Sequence, residues 1–367
     1  MQAKEGRTNN HTEKGTVLLV VLMLISILVV IAIEGFRSTQ VDLSSAYLFG
    51  NGLAAQNLNR SALNYAQALL AYDGKENSFD HFGEIWAHPK NQNEIKRPSI
   101  EKGSFSLHII DESGKLPINF IAPGNPASKE SDHKEVSQDH KIYQNILKQL
   151  LLHDPFNLEK EKSEKLIKSL VDWINKDEQE ENEAGSENMI DEYYADFDNT
   201  NSSKDAPMTF ISELLLVEGV DEKLYYGANN QPGLKDLLTV HNEKGKININ
   251  TASTYLLQAM VPSSVHRDTA KEFAQNMQAY RNDSMHWDFL KKSDWYKTKM
   301  PGYNDIQLPS KLITTSSNFF AVKSNATIGD IDKNIFAYIQ RKPVIQEDIS
   351  QGQKKVPEIE IVYQEYY

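Results

Sequence analysis

The chain has no cysteine among its 367 residues. That excludes a disulfide framework and any thiolate metal or nucleophile site. A chain this long can bury a core without such staples, so the absence fixes no compartment. Positive charge is also short: 39 Lys and Arg face 51 Asp and Glu, a net charge of −12. This argues against broad nucleic-acid binding and says nothing about fold. Neither H-E-x-x-H nor G-x-S-x-G occurs, and His81, His88, His108, His153, His241, His266 and His286 share no ligand-like spacing. No catalytic set emerges, and an enzyme is not expected.

One stretch lacks charge altogether. From Thr16 to Ile33 the only polar side chains are Thr16 and Ser26, whose hydroxyls can bond back to helix carbonyls. About 18 such residues make a helix of about 27 Å, roughly the hydrocarbon core of a bilayer. Three readings compete. A secretory signal peptide has a shorter apolar region, and Ile31-Ala32-Ile33-Glu34 offers no small-x-small cleavage site. A signal anchor fits Lys4, Arg7 and Lys14 ahead of the run, with only Arg37 closely behind it, which keeps the N-terminus cytoplasmic. The third reading is a polar leader removed after Gly15, leaving Thr16 as the new N-terminus. The Lys14-Gly15 junction before a bare apolar helix resembles the processing site of type IV prepilins and type II secretion pseudopilins. Most members of that superfamily carry Glu at the fifth position after the cut, paired with a neighbouring subunit's terminal amine. Here Val20 stands there, which fits a subunit with no neighbour above it, since an unpartnered carboxylate in lipid is costly.

Beyond the membrane, Leu43, Tyr47, Ala54, Leu58, Ala62, Tyr65, Leu69 and Tyr72 form an apolar stripe among polar residues. The pattern predicts one helix from Thr16 to about Tyr72, weakened at Gly35, Gly50 and Gly52 and ended by Asp73-Gly74. Ser104–Asp111 reads as a strand. Lys115–Phe120 reads as a second, placed at an edge by Pro117. A polar loop from Pro123 to about His140 marks a boundary, after which helical periodicity dominates to about Trp295. Strand character returns at Asn318–Ser324, Ile335–Arg341 and Glu358–Tyr363, with Ile345–Gly352 as a connection.

Acidic residues are densest from Asp172 to Asp198, where only Lys176 offsets them locally. Carboxylates and amides are hard oxygen ligands that suit calcium, although the spacing is not that of an EF-hand; a solvated acidic loop is the simpler reading of the charge run. Asp172-Trp173-Ile174-Asn175, Gly185-Ser186-Glu187, Tyr193-Tyr194 and Ser212–Val220 stand in that order, followed by Lys246–Ser253, Ser316-Ser317-Asn318-Phe319-Phe320 and Gln340-Arg341 before an alternating strand. By the order and spacing of these blocks the chain resembles the K subunit of the type II secretion system, a minor pseudopilin, from the leader to near the C-terminus. That family also lacks the fifth-position Glu.

The resemblance implies an α+β fold: a pilin-like long N-terminal helix plus an antiparallel sheet, with a large inserted all-α domain containing helix-hairpin-helix or SAM-like units. The expected boundaries are leader 1–15, membrane helix 16–36, pseudopilin helix and first strands 37–122, insert 123–310 and closing strands 311–367. It also implies structural Ca2+ near the acidic segment 175–205. Asp177, Glu187 and Asn188 fall on the acidic motif positions, and Asp191, Asp196 and Asp205 lie nearby. Asn175 and Asn188 stand where the family usually has Asp. Implied partners are the I, J and H minor pseudopilins, the inner-membrane secretion platform and a prepilin peptidase that cuts after Gly15 and methylates Thr16. The implied setting is a single-pass inner-membrane protein with a periplasmic soluble domain, acting at the pseudopilus tip in assembly and protein export. The alternative is a membrane-anchored helix-hairpin-helix protein for DNA uptake, built on Leu214–Val220 and on Ile247–Ala252, with Asn250 or Thr251 capping the next helix. Glu218 in the first hairpin would repel phosphate, and Lys244 and Lys246 are the only basic pair near the second unit, so packing is the preferred role for both.

Overall fold

In the computed structural model, residues 10–87, 103–123, 136–175, 204, 206–342 and 356–367 are described. The first element is a single helix, α1, Asn10–Glu76, of 67 residues and about 100 Å at helical rise. It begins ahead of Gly15 and passes through the expected stop. Asp73-Gly74 reads locally as a terminator, yet a Cβ on Gly74 would lie 2.9 Å from the Pro357 ring and 3.0 Å from the Arg341 side chain. The glycine is there to let β-sheet side chains approach, and the helix continues for two further residues.

The two halves of α1 differ sharply. Its most apolar 18 residues have mean hydropathy 3.3 and none is buried in this chain. From Ala55 onward one face is covered: Ala55, Leu58, Asn59, Ala62, Leu63, Ala66, Leu69, Leu70 and Asp73 are buried. Leu58, Ala62 and Leu69 of the expected stripe lie on this face, whereas Tyr72 is turned out, and Leu43 and Tyr47 lie in the part of the helix that is exposed all round. Asn59 fixes the rotation, donating to Lys333 O at 2.7 Å and accepting from Ser324 Oγ at 2.9 Å.

The covering surface is a four-stranded antiparallel sheet. β1 (Ser104–Asp111), β6 (Phe319–Ile328), β7 (Ile331–Arg341) and β8 (Ile359–Tyr366) lie in that order. Leu63, Leu69, Leu70 and Trp86 pack against Leu107, Ile109, Phe320, Val322, Ile335 and Ile339. Alternation along each strand delivers that face, as period-two patterning requires.

The expected strand Lys115–Phe120 does not join this sheet. Only Leu116–Pro117 (β2) is extended, and it pairs in parallel with Leu238–Thr239 (β3), while Ile118–Ile121 turns into a 3-10 helix. A second short parallel pair joins Ile247–Asn248 (β4) to Ile313–Thr314 (β5). Both pairs bracket the helical insert, which leaves the sheet after β1 and returns to it at β6. Within the insert, α2 (Val136–Leu152) packs against α3 (Lys160–Ile174) and against the short helix Thr254–Ala259, which in turn packs on the helix Arg267–Asn282. Their shared core includes Leu147, Leu151, Leu170, Leu257, Phe273 and Trp295. The expected helix-hairpin-helix at 214–220 is a 3-10 helix Ile211–Leu216, a turn with Gly219 at φ +91, and a helix Glu222–Tyr226 capped by Asp221. The expected connection Ile345–Gly352 lies outside the described residues.

Candidate functional site

Three places bear on function: the exposed N-terminal helix, the acidic segment, and the polar joint where insert, sheet and α1 meet. The first is defined by exposure. Gly15 and Thr16 lie on α1, and a Cβ on Gly15 would meet nothing within 4 Å, so no packing among the described residues requires glycine there. Apolar exposure runs on past the span: Val41, Leu43, Tyr47, Leu48, Phe49 and Leu53 remain largely open.

Of the acidic segment, Asp177, Glu187, Asn188, Asp191, Asp196 and Asp205 all lie outside the described residues. The chain enters it from α3, whose last turn is held by Trp173 and Ile174 in the insert core. Where the chain is described again, Lys204 Nζ bonds both Glu213 oxygens at 2.8 and 2.9 Å. Asn119 accepts from Met208 N at 2.8 Å and donates to Met208 O at 2.9 Å.

The joint is the densest set of buried polar groups among the described residues. Asp73 on α1, Asp80 and Glu84 in the segment after it, and Asp111 ending β1 are buried, as is Arg341 ending β7. Arg341 donates to Asp73 at 2.8 Å, to Asp80, and to Ser317 O at 2.9 Å, with its guanidinium over the Phe320 ring. Asp111 is caged by donors: Thr251 Oγ1 and Ser317 Oγ at 2.5 Å, Ser113 N at 2.8 Å and Asn248 Nδ2 at 3.3 Å. Asn248 also donates to Ser317 Oγ at 2.7 Å and to Asp80 O at 3.2 Å. Asn250 donates to Asp80 O and Leu290 O and accepts from Trp295 Nε1 at 2.9 Å. The Ile-Asn-Ile-Asn-Thr stretch thus works as a polar plug from the insert into the end of the pilin-like body. Neither Asn250 nor Thr251 caps the following helix. Ser253 does, accepting from Leu256 N at 3.1 Å.

Burial governs the charges. It pushes the Glu84 carboxyl up to about 9, with Asp73 and Asp80 adding repulsion. Burial and Asp80 push Asp73 up to about 7 against the pull of Arg341. Burial raises Asp111 to about 6, although hydroxyls from Ser317 and Thr251 favour its charge. Burial likewise pulls His81 down to about 4, opposed by Asp288. The 3.8 Å approach of His81 Nε2 to Glu84 Oε1 is therefore a contact between neutral groups at pH 7. Asp73, Asp80 and Glu84 each bring an oxygen within 4.8 Å of the others, but Arg341 already supplies the positive charge. The hydrogen bonds and the ion pairs of this joint tie α1, the sheet and the insert together.

The hairpin Val217–Val220 has a fastening role too. Glu218 pairs with Lys165 of α3 at 2.7 Å, which ties the hairpin to that helix. Sequence reasoning missed Asp73, Asp80, Glu84 and Asp111 as a group. It singled out Asn248, Ser317 and Arg341 within separate blocks, and those blocks meet here.

Fold and joint together define a class: a pilin-like protein with a long, bare N-terminal helix and a helical domain spliced into its sheet. Residues 114–229 match the family model described as Type II secretion system (T2SS), protein K. A curated relative, type II secretion system protein K of Pectobacterium carotovorum subsp. carotovorum, is 24% identical over 335 residues, covering 87% of this chain and 90% of its own length. A chain in the crystal structure of the GspK–GspI–GspJ complex of enterotoxigenic Escherichia coli has the same fold. It is 18% identical with TM-score 0.59, covering 89% of this chain and 99% of its own. The chain is thus similar to protein K of the type II secretion system, by the family model over 114–229 and by the curated relative over 87% of its length.

Proposed function

We propose that this chain is a minor pseudopilin that sits at the tip of a type II secretion pseudopilus, where it nucleates assembly and supports export of folded proteins. The observation that carries the reading is the continuity of α1. One helix is exposed through the bilayer-length run and on to Gly50, then sinks one face into the sheet. A bare apolar helix needs lipid first and neighbouring helices later. Each large apolar side chain fully covered contributes about 1.5–3 kcal/mol. An insert of roughly 180 residues, larger than many whole domains, would crowd the side-by-side packing of a repeating filament, and a terminal subunit avoids that conflict.

On this reading the leader is cut after Gly15 by a prepilin peptidase, which methylates Thr16. Val20 needs no amine partner from a subunit above. Partners are minor pseudopilins of the I, J and H types and the inner-membrane platform. The protein spans the inner membrane once, with its head in the periplasm, and acts by assembly with no reaction of its own. Asp177, Glu187, Asn188, Asp191 and Asp205 would hold structural Ca2+ by their oxygen donors. Calorimetric titration of the chain with calcium should give heat above a chelator control; no heat removes the ion from the proposal. For the function itself, the full chain co-expressed with the I and J subunits of its system should co-purify with both as one complex. Mass spectrometry should find Thr16 as its first residue. A chain that purifies alone, or with Met1–Gly15 attached in cells with active peptidase, overturns the reading.

A further inference from the structure

We propose that the joint between α1, the sheet and the helical insert is a clasp loaded with one proton, held on Glu84 as the neutral acid, and that losing this proton loosens the insert from the pilin-like body.

The reasoning starts from charge count. Asp73, Asp80, Glu84 and Asp111 are all buried. Among the described residues, Arg341 is the only permanent cation bonded to them, and it is spent on Asp73 and Asp80. Asp111 has four donors of its own. Glu84 faces Asp73 from α1 and Asp80 from its own segment, and no permanent cation among the described residues pairs with it. His81 beside it accepts from Gly83 N at Nδ1, at 3.1 Å. The neutral ring therefore turns Nε2–H toward Glu84. Asp288 influences His81 from the short helix Ser284–Phe289. Arg281, on the helix Arg267–Asn282, is held off: it bonds Ile249 O and lies over Phe82. A third ionised carboxylate within 4.8 Å of two others, away from water, is strongly disfavoured, so one proton stays. Glu84 Oε2 accepts from Trp86 Nε1 at 2.7 Å and His81 N at 3.2 Å, and Oε1 accepts from Asn77 at 2.8 Å. Burial and the two aspartates, which push Glu84 up to about 9, act in the same direction.

The linkage has a definite sign. With the closed-state value raised from 4.5 to about 9, the Glu84 contribution to closure is full below about 4.5 and is lost as pH rises through about 9. Opening releases one proton wherever the closed form is protonated and the open form is not, so the opening constant grows about tenfold per pH unit in that window. The test is hydrogen exchange on the full chain in detergent micelles, corrected for intrinsic rates, between pH 7.5 and 8.5. Protection of the amides at 80–87 and 248–252 should fall about tenfold. Glu84→Gln, the shape of the neutral acid, should be at least as protected and flat with pH. If that variant fails to fold, the infrared carbonyl band of a protonated carboxyl in the unmutated chain decides: present at pH 7.5 and lost above pH 10. Protection that does not change with pH, a Glu84→Gln profile with the unmutated slope, no such band, or an ionised Glu84 against a protonated His81 would each overturn the clasp.

Discussion

Replacing Arg341 by alanine tests the joint most directly. The guanidinium binds Asp73 at 2.8 Å, Asp80, and Ser317 O at 2.9 Å, and covers Phe320. Its removal leaves two buried carboxyls without their cation and a backbone carbonyl without that donor. Breaking a buried pair from one side costs about 3–5 kcal/mol, because the remaining charge stays out of water. For a domain of 150–250 residues each kcal/mol shifts the melting point by about 2–4 °C, so the midpoint should fall by on the order of 10 °C. The loss has a pH signature. Asp73 is already held at about 7 with Arg341 in place. Without that pull its folded value moves higher still, and folding takes up a proton. A raised acid contributes stability below its unfolded value and loses it as pH rises through its folded value. The Arg341→Ala deficit should therefore be smaller at pH 5.5 than at pH 8. Scanning calorimetry of the full chain in detergent at both pH values reads it. A deficit under about 2 °C, or one equal at the two pH values, would refute the account of the joint as a charge-balanced core.

Asn248→Asp should destabilise the head by about 1–3 kcal/mol in the same assay, because it replaces the donor to Asp111 Oδ2 and Ser317 with another buried acid. Gly83→Ala should cost about 1–3 kcal/mol in denaturant unfolding, since the added methyl collides with the Trp287 ring. Gly15→Leu should leave the melting midpoint unchanged, having no neighbour within 4 Å, while mass spectrometry shows the leader retained.

The long helix and the four strands of the main sheet were legible because each carries its own period. A charge-free run and a three-four stripe mark α1, and alternation marks β1, β6, β7 and β8 within a few residues. Local signals failed where distant residues overruled them. Asp73-Gly74 reads as a helix end, but Gly74 is small for the sake of Pro357 and Arg341. Thr251 reads as a cap, but its hydroxyl belongs to Asp111, 140 positions away. Lys115–Phe120 reads as a sheet strand, but Leu116–Pro117 pairs with Leu238–Thr239 in the insert. The joint has no period, since its members come from positions 73, 80, 84, 111, 248, 251, 317 and 341. Its one trace in the sequence was that the blocks around Asn248, Ser317 and Arg341 carried the family resemblance.

That trace has a physical reason. The insert leaves after β1 and returns at β6, two strands that are neighbours in the sheet, so without further ties its connections could swing about this seam. The plug Asn248–Thr251 closes that freedom from the insert side, Arg341 from the sheet side, and Asp73 from the last turns of α1. Asp73 is linked to the insert through Arg341 and then through Asp80 and Ser317, both of which Asn248 bonds. A pilin-like body without an insert would lack the two side chains, Asn248 and Thr251, that donate to Asp111 from the insert side. The buried polar set is best explained as the fitting that lets a helical head ride on a pilin-like stem, and its chemistry follows from having to be polar enough to specify one register of attachment.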